Sequence, residues 1–244
     1  MRLRGKVAVV TGASRGIGRA VAQGYAREGA KVAMAARTGS TLEEVAAHIR
    51  HSGGEVITFS GDLSREDQVA ALMKKANDAF GPVEILVNNA GILIPRAPIH
   101  EVTTSDWDLS LAVNLRSVFL CMKTVLPQMI ERRCGVVINL SSGAGKRAAP
   151  FWGPYAVAKC GIEGLTQLVA EEVRLYGIRV NAVNPGGVRT SMRATAYPDE
   201  DPASLPNPED LAPFFVWLAS DHSKGITGES IDWRQWHENK RRIW

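Results

Sequence analysis

The run Thr11-Gly12-Ala13-Ser14-Arg15-Gly16-Ile17-Gly18 limits what this chain can become more than any other stretch. It follows the apolar segment Lys6–Val10 and opens the helical stretch Arg19–Glu28, so it joins a strand to a helix. Gly12 permits a tight turn, Gly16 lets a pyrophosphate approach the backbone, and Gly18 lets the helix pack on the strand. Ser14, Arg15 and Ile17 complete the turn, and the free N–H groups at the start of the helix attract phosphate. The spacing is G-x-x-x-G-x-G, a variant of the commoner G-x-G-x-x-G, so the strand–motif–helix context carries the inference.

The same alternation continues along the chain. Strand-length apolar runs recur at Lys31–Ala35, Glu55–Phe59, Glu84–Val87, Gly135–Leu140, Ile178–Val183 and Ile226–Ile231, with helical periods between them such as Leu42, Val45, Ala46 and Ile49. Strands alternating with helices require right-handed crossovers and a parallel sheet covered on both faces. No Pro-rich or Ser-rich linker and no internal repeat interrupts the pattern. The expectation is one doubly wound, Rossmann-type α/β domain over 1–244 with about seven strands. Residues 184–207, carrying Pro185, Pro198, Pro202 and Pro206, read as a substrate loop at the carboxyl edge of the sheet, where open α/β sheets bind ligands. Residues 233–244 form an atypical tail.

Composition excludes several classes. With 45% hydrophobic and 22% charged residues the chain has the means to bury a core. No apolar run reaches the ~18 to 20 residues that span a bilayer, and the N-terminal run passes into the glycine motif without a cleavage site, so no membrane partner and no signal peptide are expected. Cys121, Cys134 and Cys160 fit neither a disulfide framework nor a metal site, which points to a cytoplasmic protein without a metal. The net charge of +4 is spread along the chain, with Lys240-Arg241-Arg242 the one basic run, and no nucleic-acid module accompanies it.

The second strand ends Ala35-Ala36-Arg37-Thr38, and no acidic residue stands there to hold a ribose 2′-hydroxyl. Either Arg15 or Arg37 alone is also what a solvent-facing side chain looks like. Together they are placed to clasp a 2′-phosphate, which favours NADP over NAD.

Tyr155-Ala156-Val157-Ala158-Lys159 lies in a helical stretch, placing phenol and ammonium on one face. Ser141-Ser142 ends the apolar strand Val136–Leu140 and brings hydroxyls to the same edge of the sheet. At this point the chain resembles the short-chain dehydrogenase/reductase family from Lys6 to Ile231. The likeness rests on TGASRGIG, on Gly61-Asp62-Leu63, Asn88-Asn89-Ala90-Gly91, Asn114, Ser142, the YxxxK pair and Asn184-Pro185-Gly186.

The resemblance implies an NADP(H)-dependent carbonyl/alcohol oxidoreductase with a catalytic tetrad of Asn114, Ser142, Tyr155 and Lys159. Asn114 would hold a water linking Lys159 to solvent, Ser142 would bond the substrate oxygen, and Tyr155 would pass the proton. Asp62 and Leu63 would face adenine; Asn88, Ala90 and Gly91 would back the adenosine ribose. Lys159 would bind the nicotinamide ribose, and Pro185, Gly186, Val188 and Thr190 would flank the nicotinamide. An ammonium ~4 Å from the phenol at an effective dielectric of ~20 contributes roughly 4 kcal/mol, which is expected to lower the Tyr155 pKa.

The resemblance also nominates a substrate lining of Ile92, Ile94, Ala144, Phe151, Trp152 and Met192, with Arg96, Lys146 and Arg147 as rim charges. It implies a homotetramer built on two long helices, Thr103–Ile130 and Tyr155–Tyr176. The tail departs from the family pattern. Trp233, Trp236 and Trp244 crowd its last dozen residues, and the expectation is that they dock on a neighbouring subunit. A second reading is a regulatory protein that binds nucleotide on this fold without turnover, against which the intact tetrad argues.

Overall fold

The alternating apolar runs become seven parallel strands: β1 (Val7–Thr11), β2 (Lys31–Ala36), β3 (Val56–Ser60), β4 (Ile85–Asn88), β5 (Gly135–Leu140), β6 (Ile178–Asn184) and β7 (Ser230–Asp232). The computed structural model describes residues 1–147 and 149–243, without the side chains of 240–243. Trp244 and the side chains of the Lys240–Arg242 run therefore lie outside the described residues. Strand order is β3-β2-β1-β4-β5-β6-β7. The chain winds outward from β1 to β3, then returns to the other side of β1 and winds out again. The switch point between β1 and β4 opens a crevice at the carboxyl edge.

The helices are α1 (Gly16–Arg27), α2 (Gly39–His51), α3 (Glu66–Phe80), α4 (Thr104–Leu111), α5 (Ser117–Arg132), α6 (Gly153–Val173), α7 (Ser191–Ala196), α8 (Pro208–Ala219) and α9 (Trp233–Ile243). Strand β1 is apolar from Val7 to Val10 because both of its faces are covered. Ala8 and Val10 join a core with α1, α2 and α8. Val7 and Val9 join a second core with α3, α5 and α6.

Three expectations are corrected. The last strand is only three residues long, because Gly228 turns at φ 77° and pairing with β6 begins at Ser230. Thr104–Arg132 is one continuous helical stretch of 29 residues, long and apolar enough by length and composition to cross a membrane, with 44% of its most apolar window buried in the protein. The linear run looked shorter because Asn114, Arg116 and Lys123 interrupt it, whereas the helix gathers Val118, Cys121, Met122, Val125 and Met129 on one inward face. The third correction concerns the tail. Residues from Trp233 form α9, which folds back on its own chain. Trp233 is buried, and the Trp236 ring lies 4.8 Å from Phe214 and 5.4 Å from Trp217, centroid to centroid, both on α8. Trp233 is thus committed to the core of its own chain, and Trp236, half-buried, covers two aromatic rings of α8.

Candidate active site

The site begins where β1 ends. The Thr11 hydroxyl accepts the backbone N–H groups of Asn89 and Ala90, each at 3.0 Å, and so locks the loop after β4 against the glycine turn. The Asn89 amide donates to the carbonyls of Thr11 and Gly12 at 2.9 and 3.1 Å. Two glycines are forced by this closeness. A Cβ on Gly12, whose φ is 65°, would stand 2.8 Å from the Ala90 Cα, and one on Gly18 would stand 2.4 Å from the Gly12 carbonyl oxygen.

From this turn a cavity of about 670 Å³ runs along the carboxyl edge. One end is lined by Gly12, Ser14, Arg15, Gly16, Ile17, Arg37, Asp62 and Leu63. Its middle meets Ala90, Gly91, Pro185, Gly186, Val188 and Thr190, and its far end meets Ser142, Tyr155, Lys159, Ile92, Trp152 and Met192. Its volume, the open N-terminus of α1 and the close glycine turn fit a dinucleotide. Arg15 and Arg37 both border the adenosine end. Asp62 is the one carboxylate among the described lining residues, and it is already committed, accepting Ser64 N–H at 3.0 Å and Ser64 hydroxyl at 2.8 Å. The backbone bond from Ser64 holds its pKa below the usual carboxylate value.

Helix α6 carries Tyr155 and Lys159 one turn apart on its buried face, with Ala158, Ile162, Thr166 and Val169 continuing that face into the core. The Lys159 ammonium donates to the Leu140 carbonyl at 2.6 Å and lies 5.5 Å from the centre of the Tyr155 ring. Burial pulls the Lys159 pKa down to about 8, and the Glu163 carboxylate one turn along α6 opposes that fall. Glu163 itself accepts the Ser141 hydroxyl. Burial pushes the Tyr155 phenol up, and a hydrogen bond with Ser142 pulls it back. The expected lowering of Tyr155 by Lys159 is not observed, because desolvation outweighs every other influence on the phenol and the ammonium is turned to Leu140.

Other expected residues sit elsewhere. Asn88 is buried under the sheet edge, where its amide donates to Asn139 at 2.8 Å, so it braces β4 against β5 and its neighbour Asn89 borders the cavity. Strand alternation explains this, since adjacent residues of a doublet face opposite ways. Asn114 lies in a π-helical turn, Ala112–Arg116, between α4 and α5. Its side chain accepts Ile92 N–H at 2.9 Å and donates to the Ile92 carbonyl at 3.1 Å and the Ser110 hydroxyl at 3.0 Å. It fixes the loop after β4, with both amide hydrogens committed to these bonds.

Gly18 lies beneath the cavity wall. Ile94 is packed inward, Ala144 lies off the wall, and Phe151 is 58% exposed at φ 71°, so none of the three lines the cavity. Of the rim charges, Lys146 donates outward to the Ser230 carbonyl, and Arg147 is exposed. Tyr197, Arg193 and Leu93 border the cavity without having been expected. Their segments lack the periodicity that would have placed them.

A doubly wound sheet with a crevice at its carboxyl edge, closed at one end by a Ser–Tyr–Lys cluster, is the arrangement of an α/β oxidoreductase. The family model described as short chain dehydrogenase matches residues 6–201. YciK of Escherichia coli K12, described as an uncharacterized oxidoreductase, is 35% identical over 233 residues, covering 94% of this chain and 92% of that protein. The 3-oxoacyl-(acyl-carrier-protein) reductase FabG of Thermotoga maritima is 35% identical over 239 residues, covering 95% and 97%. A solved short chain dehydrogenase of Shigella flexneri 2a, complexed with NADP, superposes with TM-score 0.90 at 35% identity, covering 95% of this chain and 98% of that one. The chain belongs to the short-chain dehydrogenase/reductase family and is an oxidoreductase with a small-molecule substrate.

Proposed function

We propose that this oxidoreductase interconverts a carbonyl and an alcohol with NADP(H), and that Tyr155 moves the proton. The observation that carries the reading is the cluster of half-buried Ser142 with buried Tyr155 and Lys159 at the far end of a cavity whose near end is bordered by Arg15 and Arg37. Bound in that cavity, the nicotinamide supplies or takes up the hydride. This chain's own residues do the rest. Ser142 donates to the substrate oxygen and fixes its direction, while Tyr155 gives its phenolic proton to that oxygen as negative charge gathers there. Lys159, charged below about pH 8, stabilises the phenolate left behind. Arg15 and Arg37 hold the 2′-phosphate of the cofactor.

The long helical stretch Thr104–Arg132 and α6 leave Leu109, Phe119, Val157 and Leu168 between 45 and 56% exposed, which supports assembly through those helices into a tetramer. Three free cysteines suit a reducing cytoplasm.

The test is a panel of ketones and secondary alcohols assayed with NADPH and NADH by the absorbance of reduced nicotinamide. Turnover with NADPH that disappears in Tyr155→Phe supports the reading. Cofactor binding without turnover of any carbonyl supports the nucleotide-binding regulatory alternative.

A further inference from the structure

The far end of the cavity is built differently from its middle. Trp152 and Tyr197 face each other with ring centres 5.9 Å apart, and Trp152 stands 5.5 Å from the Tyr155 ring. The Arg96 guanidinium lies over both outer rings, 5.7 Å from the centre of Trp152 and 5.4 Å from that of Tyr197. The Arg193 guanidinium covers Tyr197 from 3.8 Å. A third arginine joins Arg193 beside the turn after β6. A Cβ on Gly186 would stand 3.1 Å from Arg234 Nε, and one on Gly187 would stand 3.4 Å from Arg193 Cζ. Arg193 borders the cavity, and Arg96 and Arg234 stand against its bordering residues Trp152, Tyr197 and Gly186 at the mouth.

Three carboxylates stand nearby, and Glu200 also feels the charge of Arg234. Glu200 forms a two-pronged bond with Arg193, at 2.6 and 2.7 Å, and consumes that charge. Asp201 turns its carboxylate onto the Ala203 N–H, and Asp199 is exposed in the same turn. Among the described residues Arg96 has no hydrogen-bond or ion-pair partner, only the two rings. A guanidinium with its face occupied by aromatic rings keeps its N–H edge free, loses little entropy on binding and is weakly hydrated, which suits it to fork a carboxylate.

Resting on the oxidoreductase reading above, we propose that the substrate is an oxo acid: a carbonyl compound with a flat apolar body and a carboxylate about one aromatic ring away from the carbonyl. The carbonyl meets Tyr155 and Ser142, the body lies along Trp152, and the carboxylate is received by the edge of Arg96 with Arg234 supporting it by charge. Glu200 withdraws Arg193 from direct binding and keeps the mouth from accepting anions indiscriminately.

The experiment compares 4-acetylbenzoate with its methyl ester, which has the same body and no charge, using the wild-type protein and NADPH. The acid should be favoured in kcat/KM by about tenfold or more, the effect of one charge-assisted fork. The preference should shrink as salt is raised. In Arg96→Gln the acid-to-ester ratio should fall to within about twofold of unity, while Arg96→Lys recovers only part of it. Equal use of acid and ester by the wild type, or a preference that survives Arg96→Gln and Arg234→Gln together, overturns the inference. If neither compound is turned over, quenching of tryptophan fluorescence decides. Quenching by the acid and not the ester, lost in Arg96→Gln, sustains the anion site while removing support from the carbonyl reading. Absence of acid-specific quenching overturns the anion site itself.

Discussion

Lys159 donates to the carbonyl of Leu140 at 2.6 Å, so the second half of the YxxxK pair is tied to the last residue of β5. This bond sets the position of α6 on the sheet and therefore the height at which Tyr155 meets the cavity. It also holds an ammonium where it is only 4% exposed and its charge is costly to keep.

That cost appears in stability. An exposed lysine titrates at 10.5, whereas Lys159 titrates at about 8. Between those values the unfolded chain binds more protons than the folded one, so this residue makes stability rise with pH across that window, and its penalty is complete below about pH 8. Lys159→Met, which keeps the length and loses the Leu140 bond, should be more stable than wild type near neutral pH by about 2 kcal/mol. Denaturant unfolding at several pH values reads it. The gain should disappear as the pH approaches 10.5, and a difference that ignores pH would exclude the buried ammonium as its source.

The same group shapes the rate. If a charged Lys159 supports Tyr155, reduction should slow as the pH rises through about 8. Glu163 raises the Lys159 pKa, so Glu163→Gln should move the fall to lower pH and leave the plateau rate below it within about threefold. A profile that stays in place would show that the carboxylate does not act on the lysine during turnover.

Tyr155→Phe removes the transferable proton and keeps the ring that packs beside Trp152. Turnover should fall by about 10² to 10⁴ with cofactor affinity nearly unchanged. Titration of cofactor fluorescence alongside steady-state kinetics separates the two quantities. Near-wild-type turnover would remove Tyr155 from the chemistry.

NADPH should bind at least about tenfold more tightly than NADH, since Arg15 and Arg37 border the adenosine end and the nearby Asp62 is occupied by Ser64. Replacing both arginines with alanine should bring the two affinities together. A preference that persists would place the 2′-phosphate elsewhere.

Much of this site was legible because its residues answer to local rules. Gly12 and Gly18 are where they are because no Cβ fits, and Tyr155 and Lys159 share a face because helices repeat every 3.6 residues. The Asn88-Asn89 doublet was misassigned by one position because a strand's end fixes alternation only once its register is known. Tyr197 and Arg193 escaped notice because their segment has no period, and their neighbours Arg96 and Glu200 are distant in sequence or irregular in structure. The packing of the tail is hidden from the sequence for a related reason. Its tryptophans looked unpartnered because their partners, Phe214 and Trp217, lie about twenty residues upstream on a helix whose outer face no pattern revealed as needing cover.

The tail therefore yields a test opposite in sense to docking on a neighbour. Trp236 packs on Phe214 and Trp217 of its own chain, and Trp233 beneath it is 4% exposed in the core. Removing Trp236 leaves those two rings open to water on one side. Because the ring is only partly buried, Trp236→Ala should cost about 2 to 3 kcal/mol, below the range for a fully buried tryptophan. The loss should be independent of protein concentration, because the lost contacts lie within one chain, whereas contacts between subunits would make the change in melting temperature grow on dilution. Light scattering should still report an assembly near four times the 26.4 kDa chain mass, since the exposed Phe119 and Leu168 face elsewhere. Phe119→Glu with Leu168→Glu should instead dissociate it while leaving Trp236 in place. A Trp236→Ala protein that keeps its stability and loses its subunits would return the tail to the interface.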